Sequence, residues 1–149
     1  MRTAYRVLAV LVAAGVLVQS AAIAFGVFTL VNEVENGSVI DASYDAGANP
    51  GLATHSLGAM VVAALALLLL IASFLTRFAG AKTWAAWTFL AVVLQWVFGI
   101  FAFGTPAVGI LHGANALAIF ALALLAARAA GRPTQAEPVR ARRTAPADV

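Results

Sequence analysis

The chain has 149 residues, of which 63% are hydrophobic and 10% charged, with a mean hydropathy of +0.97 and a formal charge of +3. Soluble chains average about 45–50% apolar residues, so this composition excludes a soluble globular enzyme and makes lipid the solvent. With no cysteine, disulfides, thiolate ligands and iron–sulfur clusters are excluded as well.

A membrane span needs roughly 20 apolar residues, and its backbone must be helical because unpaired amides cannot face hydrocarbon. Four runs qualify, at 5–31, 53–76, 83–104 and 107–128. They predict an all-α integral membrane domain over 1–130, a four-helix bundle with a long loop at 32–52. The first run opens on "MRTAYR" and contains "SAAIA", which resembles a signal-peptide cleavage site after Ala24. Its apolar character nevertheless continues through Phe25–Val31, so a retained helix is expected. Beyond the fourth run, 131–149 is rich in Pro, Arg and Ala without periodicity and reads as a disordered basic tail, whose arginines serve topology.

The charges set the orientation. Arg2 and Arg6 precede the first helix, Arg77 and Lys82 join the second to the third, and Arg128, Arg132, Arg140, Arg142 and Arg143 follow the fourth. All nine basic residues therefore fall on one side of the bundle, which the positive-inside bias makes cytoplasmic, together with both termini. Glu33, Glu35, Asp41 and Asp45 lie in the opposite, outer loop. This distribution explains the high isoelectric point without a nucleic-acid partner. Placement in a plasma membrane follows, and the Ala-rich, Arg-over-Lys composition points to a bacterial source.

The chain also resembles itself. "VLVQSAAIAFGVF" (16–28) aligns with "VVLQWVFGIFAFG" (92–104), matching Gln19 to Gln95 at an offset of 76. Superposing His55 on His112, at an offset of 57, brings Ala59 onto Ala116 and the run Leu65–Leu68 onto Leu122–Leu125. The longer first outer loop accounts for the difference in offset. Two tandem helical hairpins, each a Gln helix followed by a His helix, would then be related by a pseudo-twofold axis along the membrane normal.

His55 and His112 are the only histidines. His55 follows Pro50 by five residues and His112 follows Pro106 by six, so both belong to the first turns of helices entering from the outer side. The pseudo-twofold turns both toward the bundle axis at similar depth. Two facing imidazoles suit the two axial positions of a haem iron, a cofactor often held in bundle cores. Gly58 and Ala59 after His55, and Asn115 and Ala116 after His112, share the histidines' helix faces and leave room for a porphyrin edge. Such small residues also serve close helix packing. Asn115 is available to a propionate or to the other hairpin, and Gln19 and Gln95 need partners, either each other or backbone across the axis. A lone interfacial histidine would bond water, lipid or a loop carbonyl instead. Zinc would lack ligands, unless the loop acids fold inward to complete a hard-metal site.

The segment "TFLAVVLQWVFGIFAFGTPAVGILHGANAL" (88–117), with Leu94-Gln95, Gly99, Gly104 and Leu111-His112, resembles the corresponding hairpin of the haem A synthase family. That family oxidises haem O to haem A and is built from two four-helix halves, each with histidines on its second and fourth helices. The likeness covers about 5–128 and corresponds to one half. It implies that His55 and His112 are axial ligands of a b-type haem near the outer face. Leu52 stands where the family's substrate half has a glutamate, no cysteine pair is present, and no outer basic residue can pair with propionates. The expectation is therefore a haem b membrane protein for electron transfer or haem holding, an oxidoreductase component and not a complete enzyme. It would work with a membrane redox partner or a second copy of itself. The competing expectation is a haem-free accessory or scaffolding subunit of a larger complex. A small transporter is the weakest reading, because no charge lies within the apolar body of a span.

Overall fold

A computed structural model describes residues 1–132. It is all-helical: α1 (Arg2–Glu35), α2 (Pro50–Phe74), α3 (Ala81–Gly104) and α4 (Val108–Gly131). All four are long and apolar enough to cross a membrane. The expected tail lies outside the described residues except for Gly131, which ends α4, and Arg132, its C-cap.

Helix boundaries depart from the apolar runs where local chemistry overrides hydropathy. The second helix starts three residues early because Asn49 caps it, its side-chain oxygen accepting from the amides of Gly51 and Leu52 at 3.0 and 3.1 Å. Pro50, with its fixed φ and missing N–H, suits the first helical position. In α1 the helix runs past the apolar stretch through Asn32–Glu35 and stops where Gly37 takes a φ of +91°. At 1.5 Å per residue its 34 residues span about 50 Å, well beyond a hydrocarbon core of about 30 Å.

The helices pack in the cyclic order α1, α2, α3, α4, with α1 and α3 on one diagonal and α2 and α4 on the other. The start of α1, the end of α4 and the α2–α3 connection share one end of the bundle, here the terminal end. The 36–49 loop and the turn around Thr105 and Pro106 share the other, the loop end.

Buried positions repeat with the offsets found in the sequence. Tyr5, Ala9, Val12 and Val16 of α1 correspond to Ala81, Ala85, Thr88 and Val92 of α3, and all eight are buried. Val62, Ala66, Leu69 and Ser73 of α2 correspond to Ile119, Ala123, Ala126 and Ala130 of α4, again all buried. The spacing of four, three and four residues is the seam spacing of bundle helices. Because lipid tails are as apolar as leucine, this alanine-rich core gains by close packing and internal hydrogen bonds and not by escape from water. Tyr5 illustrates both: it is fully buried, meets Phe78 edge-on at 5.1 Å, and its hydroxyl donates to the Ala81 carbonyl on the diagonal helix at 2.9 Å.

The tightest helix crossing is near the loop end. A Cβ on Gly51 would lie 2.1 Å from the Gly26 nitrogen, and one on Gly26 would lie 2.8 Å from the Leu52 nitrogen. Asn49 locks this crossing by donating to the Gly26 carbonyl at 3.0 Å. Gly51→Ala should therefore lower stability in detergent by about 2–3 kcal/mol, the usual cost of overpacking against an unyielding neighbour. Gly113→Ala, where nothing lies within 4 Å, should leave thermal unfolding unchanged or raise its midpoint.

Candidate functional site

In α3 and α4 the buried core stops at the level of Val92 and Ile119, whereas α1 and α2 keep Ala22, Gly26 and Gly51 buried nearer the loop end. Between there and the loop end, α3 and α4 contain no fully buried residue, and the half-buried ones include Gln95, Gly99, His112, Asn115 and Ala116. Gln19, His55, Gly58 and Ala59 occupy the matching level of α1 and α2 and are half-buried too. His55, His112, Gln19, Gln95, Gly58 and Asn115 are linked by direct contacts at this level, and Ala116 packs against the core cluster.

His55 is the sixth residue of α2 and His112 the fifth of α4, about 6–8 Å into their helices. They face each other across the α2/α4 diagonal, with ring centroids 6.3 Å apart and ring planes at 61°. Each is oriented in the same way. Nδ1 of His55 lies 3.1 Å from the backbone carbonyl oxygen of Gln19, and Nδ1 of His112 lies 3.0 Å from that of Gln95. A carbonyl oxygen only accepts, so each Nδ1 must carry the proton. In the neutral imidazole this leaves Nε2 of both rings with a bare lone pair, the tautomer that second-shell carbonyls enforce on metal-bound histidines. Gly99 admits the His112 ring: a Cβ there would sit 3.2 Å from the ring's Cε1 and Nδ1.

The glutamines matter through their backbone as much as through their amides, which the sequence reading, with its focus on side chains, did not foresee. Their side chains part company. The Gln95 Oε1 accepts from Asn115 Nδ2 at 2.7 Å, and Asn115 also donates to the Ala91 carbonyl at 2.8 Å. Asn115 therefore serves its own α3–α4 pair. At the equivalent place in α2 stands Gly58, and the Gln19 amide fills the space: a Cβ on Gly58 would lie 1.9 Å from Gln19 Nε2. Gln19 Oε1 is buried without a hydrogen-bond partner. The two glutamines bond neither each other nor backbone across the axis.

Glu33 and Glu35 belong to the last turn of α1 and not to the loop, and three of the four outer acids are engaged locally. Glu33 accepts from the Tyr44 hydroxyl at 2.9 Å, and Asp45 from the Gly47 amide at 2.8 Å. The Ser43 hydroxyl and amide both donate to Asp41, which lowers that carboxyl's pKa. Among the described residues, no group of three or more His, Cys, Asp or Glu side chains comes together. The two histidines form a pair that no third such side chain joins.

No protein-family model, curated protein or solved structure matches the chain.

Asn115→Ala should cost about 1 kcal/mol of stability, in the range measured for hydrogen bonds between membrane helices. In a Gln95→Leu background the same change should cost clearly less, since the acceptor it leaves unpaired is gone. A thermal-denaturation double-mutant cycle reads the difference.

Proposed function

We propose that the protein is a bis-histidine membrane haem b protein, related to one half of a haem A synthase, with His55 and His112 as axial ligands. The observation that carries this reading is the matched presentation of the two imidazoles. Two rings sharing one metal, with bonds of about 2 Å and about 1 Å more from each nitrogen to its ring centre, have centroids about 6 Å apart. The centroids here are 6.3 Å apart, and the Nδ1 contacts with the Gln19 and Gln95 carbonyls select, in a neutral ring, the tautomer with its lone pair on Nε2. The surrounding layer is built of small or half-buried residues, where a flat macrocycle can lie against helix backbone. Two histidines with no third donor suit an iron whose other four ligands come with the cofactor, and leave zinc incomplete.

The recurrence of buried positions at offsets of 76 and 57 supports two tandem hairpins related by a pseudo-twofold axis. In that arrangement the terminal end, carrying Arg2, Arg6, Arg77, Lys82, Arg128 and Arg132, is cytoplasmic. The histidines then lie near the outer face of a bacterial plasma membrane.

Haem held in this way supplies one-electron exchange between ferric and ferrous iron. The chain's own contribution is to hold two neutral imidazoles in place, to exclude water with the packed core below, and to keep carboxylates away. With both axial positions taken, electron transfer to or from a membrane partner, or haem holding, fits better than oxygen chemistry. A partner membrane protein or a second copy would complete the path.

The absorption spectrum of the full-length protein, purified in detergent after expression with ample haem, tests the reading. The expected result is a sharp Soret band and resolved α and β bands on reduction, with the low-spin signature lost in His55→Ala and in His112→Ala. A colourless protein that takes up no added haemin would overturn it in favour of a haem-free accessory subunit. Gly99→Leu should weaken haem retention by displacing the His112 ring while leaving the helical circular-dichroism spectrum unchanged.

A further inference from the structure

The departure from twofold symmetry at Asn115 and Gly58 has a counterpart on the outside of the bundle. A groove of about 310 Å³ opens toward lipid between α1 and α2, within the size range of small-molecule sites. Its walls are aliphatic or glycine, including Leu11, Val18, Val61 and Val62, and Gln19 is its one polar lining residue. On the α3–α4 side the matching amide is satisfied by Asn115. On this side Gly58 provides no side chain, and Gln19 Oε1 is buried and unpaired. A buried amide oxygen without a partner is costly, the more so where no water can reach it. Gln19 Oε1 is covered in this arrangement, so a ligand arriving through the lipid would engage it once the amide turns into the hydrocarbon-walled cleft, where it is the single hydrogen-bonding side chain.

We propose that this groove is a binding site for the head group of a lipid-soluble quinone or quinol, held by the Gln19 amide. A primary amide has a donor and an acceptor on one plane, and rotation about its terminal torsion exchanges them at low cost. The same side chain can therefore donate from Nε2 to a quinone carbonyl or accept at Oε1 from a quinol hydroxyl. Few lipid-borne molecules combine a flat apolar ring, an oxygen that alternates between acceptor and donor, and a hydrocarbon tail suited to a cleft open to the bilayer. Gln19 also links the groove to the imidazole layer, because its backbone carbonyl takes the His55 Nδ1 proton. The proposal rests on the haem reading for its purpose, as the place where a two-electron lipid carrier would lie beside a one-electron centre. As a binding site it stands on the groove and the unpaired amide alone.

The test uses the full-length protein in lipid nanodiscs and an azidobenzoquinone bearing a decyl tail. Saturable photolabelling is expected on the peptides that contain Leu11–Gln19 and Gly58–Val62, displaced by excess decyl benzoquinone. Gln19→Leu removes the hydrogen-bonding group and should weaken labelling about tenfold or more, the usual consequence of losing one well-placed hydrogen bond. Gly58→Asn supplies the side chain that the repeat partner already has and must displace the Gln19 amide to fit; it should weaken labelling to the same degree while leaving the helical circular-dichroism spectrum unchanged. The retained helical spectrum separates occupancy of the groove from unfolding. Labelling that is unchanged in both variants, or that decanol displaces as well as the quinone does, would overturn the proposal. A cross-link between two copies through this groove would overturn it as well, by assigning the face to self-association. Both variants are read alongside the Soret band. No saturable labelling of the parent protein with an intact band would contradict the groove alone, whereas an absent band in the parent protein contradicts the haem reading and leaves the labelling result to be judged on its own.

Discussion

In a hydrocarbon solvent a polar group must find its partner inside the protein, and this constraint organises the histidine layer of the bundle. An imidazole has two nitrogens to satisfy. In His55 and His112 one of them is committed to a glutamine backbone carbonyl on the preceding helix, at 3.1 and 3.0 Å. That single bond sets the tautomer, fixes the ring plane and turns Nε2 toward other uses. A carbonyl already within a helix can accept a second hydrogen through its remaining lone pair, so the arrangement needs no extra polar side chain. It does require close approach of ring and helix, which Gly99 permits on one side.

The rest of the bundle serves to hold this layer in position. Below it, a seam of alanine and small aliphatic residues brings the four helices together on a common spacing. Near the loop end, the Gly26–Gly51 crossing and the Asn49 cap fix where α2 begins, and therefore how deep His55 lies. The turn through Thr105 and Pro106 sets α4 in the same way for His112, with the Val108 amide donating back to the Thr105 carbonyl at 2.9 Å. Two loops of very different length thus deliver the two histidines to one level.

Much of this was legible in the sequence because lipid solvation makes hydropathy a direct readout of helix position, and because matched segments present the same polar positions twice. The four helices, the gathering of His55 with His112, and the register of the buried seams all follow from those two signals. The signals were weaker where individual hydrogen bonds decide. Helix starts set by Asn49, and ends set by Gly37, cannot be read from an apolar run. The partner of Asn115 was ambiguous because an amide can serve a neighbouring helix or a ligand equally well; geometry assigns it to Gln95 and Ala91. The backbone role of Gln19 and Gln95 was hidden because any residue supplies a carbonyl. What could have revealed it is the repeat itself, since the same residue at the same level of both preceding helices marks the place where each histidine docks.

Titration of the haem-free protein with haemin, followed by electron paramagnetic resonance, tests the central claim most directly, because it reads stoichiometry and ligation together. Two imidazoles from a single chain predict an end point at one haem per chain and a low-spin ferric spectrum. An end point at one haem per two chains, a high-spin spectrum, or no uptake would contradict the account.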